Sequence, residues 1–221
     1  MRKKTVCTWV CSAVLACSIV PAPALCAAAS EGQVKLTPGL EYRLEDEEAV
    51  ITGGNRYLPE ELVIPDTIRG LPVTRIEKDA FYHEETLTSV TLPESLTEIG
   101  QSAFMGCSHL ISINLPSDVT TIGKEAFSQC TRLIEITLPD KLTEVSDRLF
   151  MNCYALEKVG LPETVTSVGA YAFSGCSRLM ELELPEDLKS VGDYAFAECD
   201  GLKDMRLPEG VETIGEHALP N

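Results

Sequence analysis

Phenylalanine returns every 23 residues, at Phe81, Phe104, Phe127, Phe150, Phe173 and Phe196, and Leu219 takes the next slot. Proline keeps the same beat from Pro93 to Pro208, and cysteine keeps it at Cys107, Cys130, Cys153, Cys176 and Cys199. A fixed period in the twenties, with leucines at constant offsets, specifies a solenoid of stacked coils. Such an array presents extended faces, so function is to be sought on a surface and not in a pocket.

One coil, Cys107 to Gln129, shows how the repeat is built. Leu110, Ile113 and Leu115 are apolar, with polar Ser112 and Asn114 between them. This alternation reads as a short strand with one buried face. Pro116 ends it, because proline cannot donate to a ladder. Val119 and Ile122 form a second apolar pair, and Gly123 supplies backbone freedom for a turn. Lys124-Glu125-Ala126-Phe127 suits one helical turn with Ala126 and Phe127 inward. The expected class is therefore an α/β repeat solenoid, with short parallel strands and single helical turns. One coil departs from the rule: Ser146 stands where the others have glycine, and Leu149 replaces the usual alanine, so the 146–150 turn is expected to differ locally.

The ends are atypical, as in most repeat arrays. Residues 1–29 read as a signal peptide: Arg2, Lys3 and Lys4, an apolar run, then small residues with cleavage after Ala29. A rival reading takes Val14-Leu15-Ala16-Cys17 as a lipobox, with a lipid on Cys17. The apolar run is too short for a membrane span, and the mature chain offers no transmembrane helix. Residues 30–61 form a linker and a hairpin cap, with strands around Tyr42 and Val50 and an acidic turn at Glu45 to Glu48. The solenoid occupies 62–221, beginning with an irregular coil that carries extra residues at Arg69-Gly70-Leu71-Pro72. Its last residues, Ala218 to Asn221, offer no obvious cap, which makes self-association through that edge an alternative role.

Little points to chemistry. The formal net charge is −16, against nucleic acid and anionic lipid as partners. Three histidines, His83, His109 and His217, sit at different repeat positions, and no nucleophile, P-loop or metal-ligand spacing appears. The reading is of a protein that is not an enzyme and uses no cofactor or metal. The five repeated cysteines occupy one point of the coil, so they are expected to form an inward column of free thiols.

Two outward columns of the first strand are the candidate surface: Ser89, Ser112, Glu135, Lys158, Glu181 and Asp204, and beside them Thr91, Asn114, Thr137, Gly160, Glu183 and Arg206. Tyr171 and Tyr194 share another repeat position, followed by His217, and make a second contact patch or a shield for the ladder edge. An ordinary solvated sheet is the competing reading for the two columns. Carbohydrate binding fits poorly, since Trp9, the one tryptophan, lies in the leader.

The run LTSVTLPESLTEIGQSAFMGC and its successors resemble the BspA-like leucine-rich repeats of bacterial surface proteins, over roughly Leu62 to Leu219. The resemblance implies a secreted or surface-displayed protein that binds an extracellular protein, with adhesion to host matrix or plasma proteins among the family's roles. It brings no catalytic residues.

Overall fold

The computed structural model describes residues 36–220 except Asp204, so the proposed leader and Cys17 lie outside the described residues. The hairpin expected near the start is present. Leu40–Leu44 pairs antiparallel with Ala49–Gly54, with a register shift between Glu41 and Tyr42. Its second strand then pairs in parallel with Leu71–Ile76, placing Ile51 opposite Ile76, and so caps the coil that follows. The extra residues of that coil form a tight hairpin in which Ile68 pairs with Leu71. Arg69 and Gly70 between them sit at φ 54° and 81°, the left-handed pair that a two-residue loop of this twist requires.

Each regular coil contributes two strands. In the first ladder Leu62, Val90 and Ile113 lie in register, and farther along Ile136, Val159 and Leu182 do. In the second ladder Ile76, Ile99 and Ile122 align, and then Val145, Val168, Val191 and Ile214. Alternation explains the pairing: the aligned residues point inward and are buried, except half-buried Leu182 and exposed Ile214, while the residues beside them face solvent.

The third side of the coil overturns the helical-turn expectation. No helix occurs among the described residues. In the run from Ser102 to Cys107, alternate N–H groups reach forward to the next coil: Ser102 donates to Lys124 (2.9 Å), Phe104 to Ala126 (2.8 Å) and Gly106 to Ser128 (2.8 Å). The N–H groups between them close four-residue turns, Met105 to Ser102 and Cys107 to Phe104. A helix would spend all of these donors on itself. Two residues of each coil, four apart, take up left-handed backbone to make the zigzag. One column is Asp79, Ser102, Glu125, Arg148, Tyr171, Tyr194 and His217, at φ 52–61°. For a non-glycine residue this costs about 1 kcal/mol, and the forward hydrogen bonds hold it. The architecture is therefore a β-solenoid and not an α/β one.

Inside, six phenylalanines form a continuous stack with no exposed surface, their ring centroids 5.2–5.9 Å apart. The five free thiols run beside it. Each Sγ donates to a phenylalanine carbonyl of the preceding coil, for example Cys107 to Phe81 (3.2 Å) and Cys153 to Phe127 (3.1 Å). Burial pushes the Cys107 and Cys199 thiols up to about 12 and the three between them well above the ordinary value. These groups pack and do not react.

The repeated glycines have a different reason from the one the sequence suggested. Gly100, Gly123, Gly169, Gly192 and Gly215 do not adopt positive φ. They allow close approach instead: a Cβ on Gly100 or Gly169 would lie 2.5 or 2.6 Å from a backbone nitrogen of the preceding coil. At each of these positions the N–H donates back to that coil, as from Gly169 to Val145 (2.7 Å). Ser146 cannot come so close. Its hydroxyl, in place of its N–H, bonds the Ile122 carbonyl. Both ladders break at this junction, between Ser112–Asn114 and Glu135–Thr137 and between Thr121–Ile122 and Glu144–Val145. The Phe127–Phe150 step is also the widest of the stack, at 5.9 Å.

Candidate functional site

The period of two within the first strand turns Ser112 and Asn114 outward, and likewise Glu135 and Thr137, Lys158, Glu181 and Glu183. All are exposed, as is Arg206, and Asp204 lies outside the described residues. Register fixes their neighbours. Glu135 lies beside Lys158 and Lys158 beside Glu181, with Lys158 Nζ 2.7 Å from Glu181 Oε2. That carboxylate holds the Lys158 ammonium above its ordinary range. The Arg178–Glu157 ion pair joins the same two coils at the strand's edge.

Where the first ladder breaks, the face carries a shallow cleft of about 380 Å³. Its lining brings together Ser112, Asn114, Glu135, Thr137 and Lys158, and adds Ser117 and Asp140, which sequence reasoning did not select. Both added residues sit on the loops after the strands. Their proximity follows from the fold of a loop, for which a strand pattern carries no signal.

Tyr171 and Tyr194 stand elsewhere, on the turn side of the coil, so the candidate residues form two surfaces and not one. Their rings stack at 4.9 Å and 7°, and His217 continues the stack at 5.0 Å from Tyr194. The Arg148 guanidinium lies 5.5 Å from the Tyr171 ring centroid and is paired with Glu125 at 3.1 Å. All five share the left-handed column. A stack of this kind leaves ring edges and hydroxyls outward and consumes the faces. A second polar groove of about 330 Å³, also missed from sequence, is lined by His83, Glu85, Gln129, Asn152 and Tyr154 among others. Among the described residues no three histidine, cysteine or carboxylate side chains converge as metal ligands, and no helix is long and apolar enough to cross a membrane.

Parallel 23-residue coils, an apolar spine of leucine, phenylalanine and cysteine, and a polar strand face define a leucine-rich-repeat solenoid. Residues 60–180 and 144–221 match the family described as the BspA type leucine rich repeat region, in six copies. The chain belongs to that family. No curated protein matches it. Among solved structures, the leucine-rich repeat protein of T. pallidum is 34% identical, with 85% of this chain and 92% of that one covered and a TM-score of 0.75. A leucine-rich repeat protein of Bacteroides ovatus is 30% identical over 84% of this chain, with a TM-score of 0.63, and the match spans 56% of its length. One from Eubacterium ventriosum is 26% identical over 81% of this chain, with a TM-score of 0.68, and the match spans 49% of that chain.

Proposed function

We propose that this chain is exported, loses residues 1–29 as its leader, and works outside the cell as a non-covalent protein-binding module, with adhesion to matrix or plasma proteins as its use. The observation that carries the reading is the strand face itself. It is a continuous set of exposed polar and charged side chains around a cleft, on a fold whose interior holds only packing groups. Family membership supports protein binding, and the leader pattern supports export.

The test is capture. Immobilised protein is incubated with plasma and matrix extract at physiological salt, and a saturable partner is expected. Changing Thr137→Arg and Lys158→Glu together should weaken that partner about tenfold, as loss of a central contact does. The pair Tyr171→Ser and Tyr194→Ser reports on the other surface. Recovery of nothing but copies of the chain itself would replace this reading with self-association, and full affinity in the Thr137/Lys158 variant would remove the strand face.

A further inference from the structure

We infer that the junction between the coils of Phe127 and Phe150 is a built-in breakpoint, at which the solenoid opens into two cooperative units before it unfolds as a whole. The inference rests on backbone pairing and stands apart from the binding reading above. An ordinary linear array frays at its ends and is best protected in the middle, because each coil is held by its neighbours. This junction lies in the middle of the phenylalanine stack, yet four features mark it as the loosest.

Thr97, Thr120, Thr166, Lys189 and Glu212 each donate an N–H to the carbonyl 23 residues earlier, at 2.8–2.9 Å, and Thr143 does not. Ser146 replaces the backbone bond that glycine makes elsewhere with a hydroxyl bond. The forward bonds of the turn side survive, and two of them lengthen: Glu125 to Asp147 and Phe127 to Leu149 are 3.1 Å, where Phe104 and Phe150 make theirs at 2.8 Å, while Gln129 to Met151 keeps 2.8 Å. The Phe127–Phe150 step is 5.9 Å, against 5.2–5.6 Å for the others. The cause is two side chains. A Cβ at Ser146 and the bulk of Leu149 hold this coil away from its predecessor.

Ion pairs stand where the ladders are missing. Lys124 meets Asp147 at 2.6 Å, Arg148 meets Glu125 at 3.1 Å and Lys141 meets Asp118 at 2.6 Å, and every one of them spans this junction. All three are at the surface and are screened by salt. The closed state of the junction is therefore held by ionic contacts to a degree that its neighbours are not, and raising the ionic strength should favour opening there.

Amide hydrogen exchange on the whole chain tests this, because the Phe104, Phe127 and Phe150 amides share one local structure and one burial. The Phe127 amide should exchange roughly tenfold faster than the other two in about 0.01 M salt, and the gap should widen in about 1 M salt. The double change Ser146→Gly and Leu149→Ala should close the gap. A Phe127 amide at least as protected as those of Phe104 and Phe150 at both ionic strengths overturns the inference, as does a gap that persists unchanged in the folded double variant. Should that variant not fold, the wild-type comparison at the two ionic strengths decides alone.

Discussion

The junction between the coils of Phe127 and Phe150 and the one after it, between Phe150 and Phe173, are built from the same 23 positions and held by different forces. In the later junction Lys158–Gly160 and Ser167–Val168 sit on continuous ladders, and Gly169 lets the backbones touch. In the earlier one both ladders are interrupted, and three surface ion pairs join the backbone bonds of the turn side in spanning the gap. The difference comes down to a serine for a glycine and a leucine for an alanine. Two side chains at points of close backbone contact decide how many main-chain bonds join the coils and how much is left to side chains.

The comparison can be broken most forcefully at the aromatic stack. Phe173→Ala should cost about 3–5 kcal/mol in urea denaturation, the usual loss for a buried phenylalanine. Phe127→Ala should fall toward the lower end of that range, because its neighbour at 5.9 Å already packs less closely. Equal losses would mean that the spacing difference has no energetic meaning.

Transplanting the loose junction is the next largest change. Gly169→Ser with Ala172→Leu puts a Cβ where the nearest backbone nitrogen is 2.6 Å away. It should destabilise the chain by about 1–3 kcal/mol, with new rapid exchange at the Phe150 amide. A stable double variant with unaltered exchange would show that the two substitutions do not create the break.

Acid sharpens the comparison further. The hydrogen bond from Lys124 Nζ holds the Asp147 carboxyl below its ordinary range, helped by the Ala170 N–H, while burial opposes both. A depressed folded value contributes stability that is complete above the unfolded value of about 4 and is lost as pH falls through the folded one. The stability difference between the wild type and Asp147→Asn, followed by denaturation from pH 7 to pH 3, should shrink toward the acid end. A constant difference would exclude the ionised carboxylate as its source. The smallest effect is expected at Lys141→Ala, about 0.2–1 kcal/mol at low salt and nothing measurable at high salt. A loss that high salt leaves intact would point to packing by its stem.

Much of this was legible in the chain. The 23-residue period places Phe104 and Cys107 inward and Ser112 and Asn114 outward, and the structure agrees. The turn at Lys124 to Phe127 was misread because its composition suits a helix and a run of tight turns alike. What separates them is the destination of alternate N–H groups, here a carbonyl in the next coil, which a local pattern cannot reveal. Gly123 misled for a related reason, since a glycine kept for contact looks the same as one kept for positive φ. Ser146 and Leu149 stood out as departures, and their consequence required the neighbouring coil. The cleft depends on that same break, so its loop residues Ser117 and Asp140 were out of reach.

The thiol column sets how such a chain can change. Each cysteine reaches a carbonyl 26 residues back, each phenylalanine lies on its counterpart 23 residues away, and each ladder residue faces its own equivalent. Three independent rulers thus measure the same coil. One residue inserted within a strand or the turn run would throw them out of step, while a whole coil added or removed would disturb none; between the strands there is room, since the hairpin at Ile68 and Leu71 leaves Leu62 opposite Val90 and Ile76 opposite Ile99. Length in this molecule is added as complete turns, or as loops that leave the ladders as the hairpin at Ile68 and Leu71 does, and the outward positions are left to vary one residue at a time.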